Sequence, residues 1–360
     1  MISTSLHLTD AQQFLVFSAV KVLGAFAVLM GIVAYVVLLE RRICAFIQDR
    51  VGPNRVGPFG LFQPAADAGK AFLKEDFTPA HVRTAYFWLA PAVVMIPALL
   101  NIAVIPFGSN LGNPNNRMVI ADLNVGILYT FGIVSLGVYG IVLAGYAANS
   151  KYPFLGGIRS SAQMISYEIS MGLAVVPIFM LVGSLNLSDV IAYQAGTLSW
   201  LPWVPNWLAF QSPLTLLAFL MFMVAAFAET NRMPFDLPES EQELVGGYNT
   251  EYSSMKFAMF FMAEYANMTL ASAMLVTLFL GGWTLPIAGL DQPATTLWQG
   301  VLQIGIFLGK MLLMMLWFIW ARWMLPRFRY DQLMDLGWRR CLPVALANIV
   351  VTAAVMWMRS

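Results

Sequence analysis

Three glutamates stand in or at the edge of stretches otherwise suited to hydrocarbon: Glu168 in AQMISYEIS, Glu229 in MVAAFAETNR and Glu264 in MFFMAEYAN. A charge at mid-bilayer costs about 2.5–3.5 kcal/mol on the insertion scale, so such acids keep a partner, a water-filled cavity or a role. Burial and charged neighbours set when a carboxyl takes up a proton, and that tuning suits a proton relay. The plainer alternative is a shallow placement, each acid hydrogen-bonded to Ser166, Tyr167, Asn267 or an arginine of a neighbouring helix. Three such acids together favour the relay.

Two further clusters adjoin them. Segment 229–251, ETNRMPFDLPESEQELVGGYNTE, sets Glu229, Asp236, Glu239, Glu241, Glu243 and Glu251 against a single basic residue, Arg232. Asp236 three residues before Glu239, Pro238 between them and Gly246-Gly247 beyond predict a short capped helix. Glu239 and Glu243 then share a face at i, i+4, where like charges repel and titrate as a coupled unit. A solvated acidic loop explains the same residues; contiguity with Glu229 at the end of an apolar stretch argues for more. The other cluster, LLERRICAFIQDRVGPNRVGPFG, places Glu40 directly before Arg41 and Arg42 and continues into a Gly/Pro-rich loop. Basic residues there set topology and touch anionic lipid. RWMLPRFRYDQLMDLGWRR at 322–340 reads the same way, or as a docking surface for a partner.

The elements that must position these groups are membrane spans. Of 360 residues 59% are hydrophobic and 11% charged, against about 25% charged in soluble domains. The fold class is an all-α integral membrane protein, a single membrane domain over 1–360. Apolar runs bounded by Pro, Gly, Asn or charges predict about eight transmembrane helices, at about 14–39, 86–107, 123–148, 164–185, 213–230, 255–281, 298–321 and 341–357. Segment 60–76, too charged to span, gathers Leu61, Phe62, Ala65, Phe72 and Leu73 on one side, with Asp67, Lys70 and Lys74 recurring at i, i+3 and i+7. It predicts an interfacial amphipathic helix after the first span. An acidic loop follows the fifth span at about 231–254.

Sixteen of the 20 basic residues fall in the segments 40–85, 149–163, 231–256 and 322–340, all on one side of this arrangement. The positive-inside rule makes that side the cytoplasm or its mitochondrial equivalent, with both termini outside. The apolar run from Phe14 to Leu39 is too long for a signal peptide and reads as a span. Cys44 and Cys341 belong to no C-x-x-C pattern, no glycine-rich nucleotide loop is present, and no metal site is expected. Any electron transfer is therefore expected on partners.

LERR with VGPNRVGPFGLFQPAADAGK (39–70), SKYPFLGGIRSSAQMISYE (150–168), AETNRMPFDLPESEQELVGGYNTEYSSMKF (228–257) and PRFRYDQLMDLGW (326–338) are similar, in order and spacing, to the H-subunit family of NADH:quinone oxidoreductase, respiratory complex I, whose mitochondrial members are called subunit 1. The resemblance implies a membrane component that forms a quinone entry channel with peripheral subunits and couples quinone reduction to proton translocation. It implicates Arg41, Phe62, Asp67, Lys70, Arg232 and Phe235 in lining or supporting the channel. Glu40, Glu168, Glu229, Glu239, Glu241, Glu243, Glu251 and Glu264 look like the family's coupling carboxylates. Quinone is then a substrate, and flavin and iron-sulfur clusters belong to partner subunits. Small membrane subunits leading to antiporter-like subunits, and lipid, are the other expected partners; nucleic acid is not one. The location implied is a bacterial inner membrane, or alternatively the mitochondrial inner membrane. Two other classes remain: a membrane anchor in a related hydrogenase complex, and an ion transporter, although the inverted repeats and paired broken helices of transporters are not found.

Overall fold

The computed structural model describes residues 10–110, 117–198, 201–237, 245–287 and 289–359. These form α1 (Asp10–Ile47), α2 (Gln63–Leu73), α3 (Thr84–Leu100), α4 (Gly126–Ala147), α5 (Lys151–Val182), α6 (Leu187–Tyr193), α7 (Leu208–Gln211), α8 (Pro213–Glu229), α9 (Ser254–Phe279), α10 (Leu297–Met324) and α11 (Tyr330–Met358). Among the described residues seven helices are long and apolar enough to cross a membrane, and α8 is a shorter apolar helix. A small antiparallel hairpin, Thr197–Leu198 with Leu201–Pro205, is the only sheet among them.

Local chemistry sets several helix ends. Ser212 and Thr215 form a reciprocal capping box that starts α8, and Thr296 with Gln299 does the same for α10. Gly183, at φ 76°, closes α5 in the left-handed conformation that costs glycine nothing. The backbone of a span must satisfy itself, which is why helices dominate.

The bundle centres on α3, α4, α5, α8 and α9, with Tyr167, Phe87, Phe222, Phe260 and Phe279 fully buried. Small residues let the backbones close up: a Cβ on Gly140 of α4 would collide with a methyl of Val94 in α3. Likewise a Cβ on Gly156 of α5 would stand 2.9 Å from Gly247 Cα, so that glycine seats the 245–249 turn on the helix. In α9, 67% of the most apolar window is buried; in α1 it is 22%, so α1 lies at the periphery.

Three helices run past the predicted spans, for one physical reason. The first continues beyond residue 39 to Ile47, the fourth starts at Lys151 rather than 164, and the last begins at Tyr330, passing through a π-helical turn at Leu336–Cys341. The added turns are polar, and partners elsewhere in the chain satisfy them. The Gln163 amide of α5, for example, donates to the carbonyls of Ala228 and Phe235, both at 2.7 Å. The helix predicted around Glu239 and Glu243 lies outside the described residues, as does Glu241.

Candidate functional site

At the end of the bundle that carries most of the basic residues, α1, α2 and α9 enclose a cavity of about 530 Å³. Met30, Val33 and Val37 of α1 and Phe257 and Phe261 of α9 give it apolar walls, while Arg41, Asp67, Lys70 and Lys74 ring it with charge. Its volume falls within the range of small-molecule sites, about 300–1,000 Å³. Because α1 packs only loosely on the bundle, the cavity remains between it and α9, and α2 lies across one end.

Two sets of contacts pin α2 there. Arg41 of α1 donates to Asp67 at 2.8 Å, and Gln63 holds the other carboxylate oxygen at 2.9 Å. At the far end the Ser254 hydroxyl lies 3.0 Å from the carbonyls of both Ala71 and Lys74, tying α2 to the start of α9. Lys256 then anchors the following segment, 3.0 Å from Asp76 and 3.7 Å above the Trp88 ring. Phe72 and Leu73 of α2 are exposed, as an interfacial helix requires of the face it turns to lipid.

Behind the cavity lies an ionic cluster built from four elements, with Glu40, Arg232 and Glu264 largely covered and the Arg322 side chain 44% exposed. Glu40 of α1 is 5% exposed and accepts from three donors: Arg232 at 3.1 Å, Arg322 of α10 at 2.6 Å and the Tyr265 hydroxyl at 2.7 Å. Arg232 also reaches Glu264 at 2.7 Å and lies over the Tyr265 ring at 4.2 Å. Burial opposes the Arg232 charge, but Glu264, Tyr265 and Glu40 outweigh it and hold the guanidinium charged. Two carboxylates thus face two guanidiniums. Tyr265 belongs to both places, since it lines the cavity and bonds to Glu40.

A second acidic site sits deeper. Glu168 accepts from the Ser135 hydroxyl of α4, not from Ser166, Tyr167, Asn267 or an arginine as its sequence neighbours suggested. Ser166 and Tyr167 bond elsewhere, Tyr167 donating to the Leu333 carbonyl at 2.9 Å. Glu168 stands close enough to Glu229 for the two charges to repel.

Of the sequence-predicted residues, Arg41, Asp67 and Lys70 therefore meet at the cavity, and Glu40, Arg232 and Glu264 meet in the cluster behind it. Glu168 and Glu229 form the deeper pair. Glu251 is apart, 3.6 Å from His81. Three expected channel residues do not line the cavity: Arg232 lies in the cluster behind it, and the two phenylalanines lie elsewhere. Phe62 is exposed beside Gly57, at the start of α2, and Phe235 is buried in the core with ring centroids 5.5 Å from Tyr167 and 5.4 Å from Phe328. Its apolar surface is better covered by those rings than by an open channel. Glu239, Glu241 and Glu243 lie outside the described residues. Sequence reasoning missed Ser135 and Tyr265 and read Arg322 as a topology marker or part of a partner-docking surface. Tyr265 directly follows Glu264, but no spacing signal shows that it meets Glu40. Among the described residues no group of three or more His, Cys, Asp or Glu is placed to hold a metal ion.

The chain matches the family described as NADH dehydrogenase over residues 20–353. It is 48% identical over 341 residues to the H-type component of NADH-quinone oxidoreductase, first of its numbered copies, from Geobacter metallireducens, covering 94% of this chain and 96% of that protein. The corresponding NADH-quinone oxidoreductase component of Rickettsia prowazekii is 48% identical over 341 residues, with 94% and 93% covered. That of Cytophaga hutchinsonii is 44% identical over 347 residues, with 95% and 97% covered.

Proposed function

Since the chain belongs to the H-subunit family of NADH-quinone oxidoreductase, and so is a membrane component of an enzyme complex, we propose that the α1–α2–α9 cavity is its quinone portal and that the carboxylates behind it couple quinone reduction to proton movement. The observation that carries this reading is Tyr265, whose ring borders the cavity while its hydroxyl bonds to Glu40 in the ionic cluster. Apolar walls suit an isoprenoid tail arriving from lipid, and the Arg41, Asp67 and Lys70 rim suits a polar quinone head passing toward the peripheral subunits.

Those partners, on this reading, carry flavin and iron-sulfur clusters and deliver two electrons from NADH. A quinone that takes up two electrons also takes up two protons to become quinol, so reduction creates a proton demand and a change of charge near the cluster. Glu40, Arg232, Glu264 and Arg322 exchange charge-assisted bonds and respond to such a change as a unit. Glu168 and Glu229 extend the acidic set into the spans; Glu251 and, by the resemblance, the acids at 239, 241 and 243 belong to the same proposed set. Small membrane subunits would receive the signal. The charge-rich end faces the cytoplasm, with both termini outside, in a bacterial inner membrane.

The test is photolabelling of the intact complex with a photoreactive quinone. Labels are expected on peptides from α1, α2 and α9 at cavity residues such as Met30 and Phe257. Labelling confined to the opposite end of the bundle would end the portal reading.

A further inference from the structure

A second, smaller cavity of about 40 Å³ lies inside the bundle, away from the portal. Glu229 and Thr230 at the end of α8 border it, with Asn267 of α9, Thr130 of α4 and Asn101 just beyond α3. Its walls run lengthwise: Met164 and Met171 of α5 both line it, as do Asn267 and Met274 of α9. Seven residues of helix rise about 10 Å, so the cavity reaches from the level of Glu229 into the opposite half of the bundle.

Its polar groups are unusual for mid-membrane. Asn101 is 1% exposed, and neither its carboxamide nitrogen nor its oxygen has a protein partner. A buried amide has two donors and an acceptor oxygen to satisfy, and nature rarely leaves all of them unmet. Thr130 donates its hydroxyl to the Gly126 carbonyl at 3.1 Å, and Thr230 to the Ala226 carbonyl at 2.9 Å. Both threonine oxygens keep lone pairs to accept a further hydrogen. Hydroxyl acceptors from α4 and from the end of α8, the Glu229 carboxylate and a partnerless amide together specify a ligand that both donates and accepts. Water is the ligand of that size: a single water needs at least about 10–15 Å³ of such space, so the cavity admits one to about three, and three in hydrogen-bonded file span roughly 8 Å.

We propose that Asn101, Thr130, Thr230 and Glu229 bind a file of internal waters that carries protons between Glu229 and the half of the bundle remote from the quinone portal. The transport part rests on the coupling role given to Glu229 above; the water site does not. In this arrangement Asn101 is a positioning residue, orienting water rather than exchanging protons itself.

Radiolytic hydroxyl-radical footprinting of the intact complex tests the site, because methionines beside bound water oxidise readily and this cavity is walled by them. Met171 and Met274 are expected to label about fivefold faster than Met95 and Met315, which are 8% and 2% exposed and lie outside the cavity. Asn101→Leu should bring Met171 and Met274 down to the control rate, and Asn101→Ser, which keeps a polar atom, should retain most of the labelling. In the same variants Asn101→Leu should lower protons translocated per NADH oxidised by about half, with Asn101→Ser near wild type. Equal labelling of all four methionines in the wild-type complex would overturn the water site. Loss of labelling in Asn101→Leu with unchanged proton yield would overturn the transport role. Glu229→Gln separates this from the broader reading: if it abolishes pumping while Asn101→Leu does not, the water file alone falls, and if it too pumps normally, the coupling role of Glu229 falls with it.

Discussion

The two ends of the bundle bury charge in opposite ways. At the portal end Glu40 and Glu264 are held by Arg232 and Arg322, charge against charge. At the other end Lys310 of α10, 9% exposed, donates to the carbonyls of Leu280, Gly282 and Thr284 at 2.7, 3.0 and 2.7 Å, and stands 4.1 Å from the Trp207 ring. Buried Gln194 works alongside it, accepting from the amides of Leu208 and Gly281 at 3.1 and 3.0 Å. Backbone carbonyls cannot move without unwinding the chain, so Lys310 is a rivet that closes the end of α9. Side-chain ions can re-pair when a nearby charge changes. The comparison assigns stability to one end and responsiveness to the other.

Removing the hub of the portal-end cluster should have the largest effect. Arg232→Met leaves Glu40 and Glu264 buried with fewer partners, and breaking a buried pair from one side costs about 3–5 kcal/mol. The expected outcome is a sharp fall in assembled complex and in NADH:quinone turnover, read by native gel and by activity per assembled particle. Lys310→Leu strands three carbonyls and should cost about 2–3 kcal/mol in thermal stability, with turnover per assembled complex close to wild type. A large turnover defect there would break the proposed division between the ends. Arg41→Ala opens a pair whose side chains are 46% and 38% exposed, so stability should change by less than about 1 kcal/mol. The apparent KM for quinone should nevertheless rise, because α2 loses its tie to α1. Arg329→Ala, removing an exposed pair with Asp331 at 3.2 Å, should shift stability by no more than about 0.5 kcal/mol and leave KM unchanged.

Much of the fold was legible because hydrocarbon imposes a simple rule: a long uncharged run must be a helix. The amphipathic helix could be read for a similar reason, since Asp67, Lys70 and Lys74 recur on one side of a stretch that then folds as Gln63–Leu73. The acids within spans stood out because charge there is costly. Helix ends were less legible. The added turns around Glu40 and Gln163 are stable only beside Arg232, Arg322 and the 228–235 carbonyls, all remote in sequence. Phe235 shows the same limit from the other side, since its neighbours Tyr167 and Phe328, not its motif, decide that it packs in the core.

The amino-acid sequence by itself determined the solvent, the helical class, the charge-rich end and the family, since each depends on composition or on local motifs. Tertiary structure alone decided which charges meet. Glu40 and Arg232 stand far apart along the chain yet share a bond, and Ser135 rather than a neighbour of Glu168 supplies its donor. The reason is geometric. A pattern along the chain records which face a residue takes on its own helix, whereas an ion pair depends on how two helices are turned toward each other by the packing of everything between them.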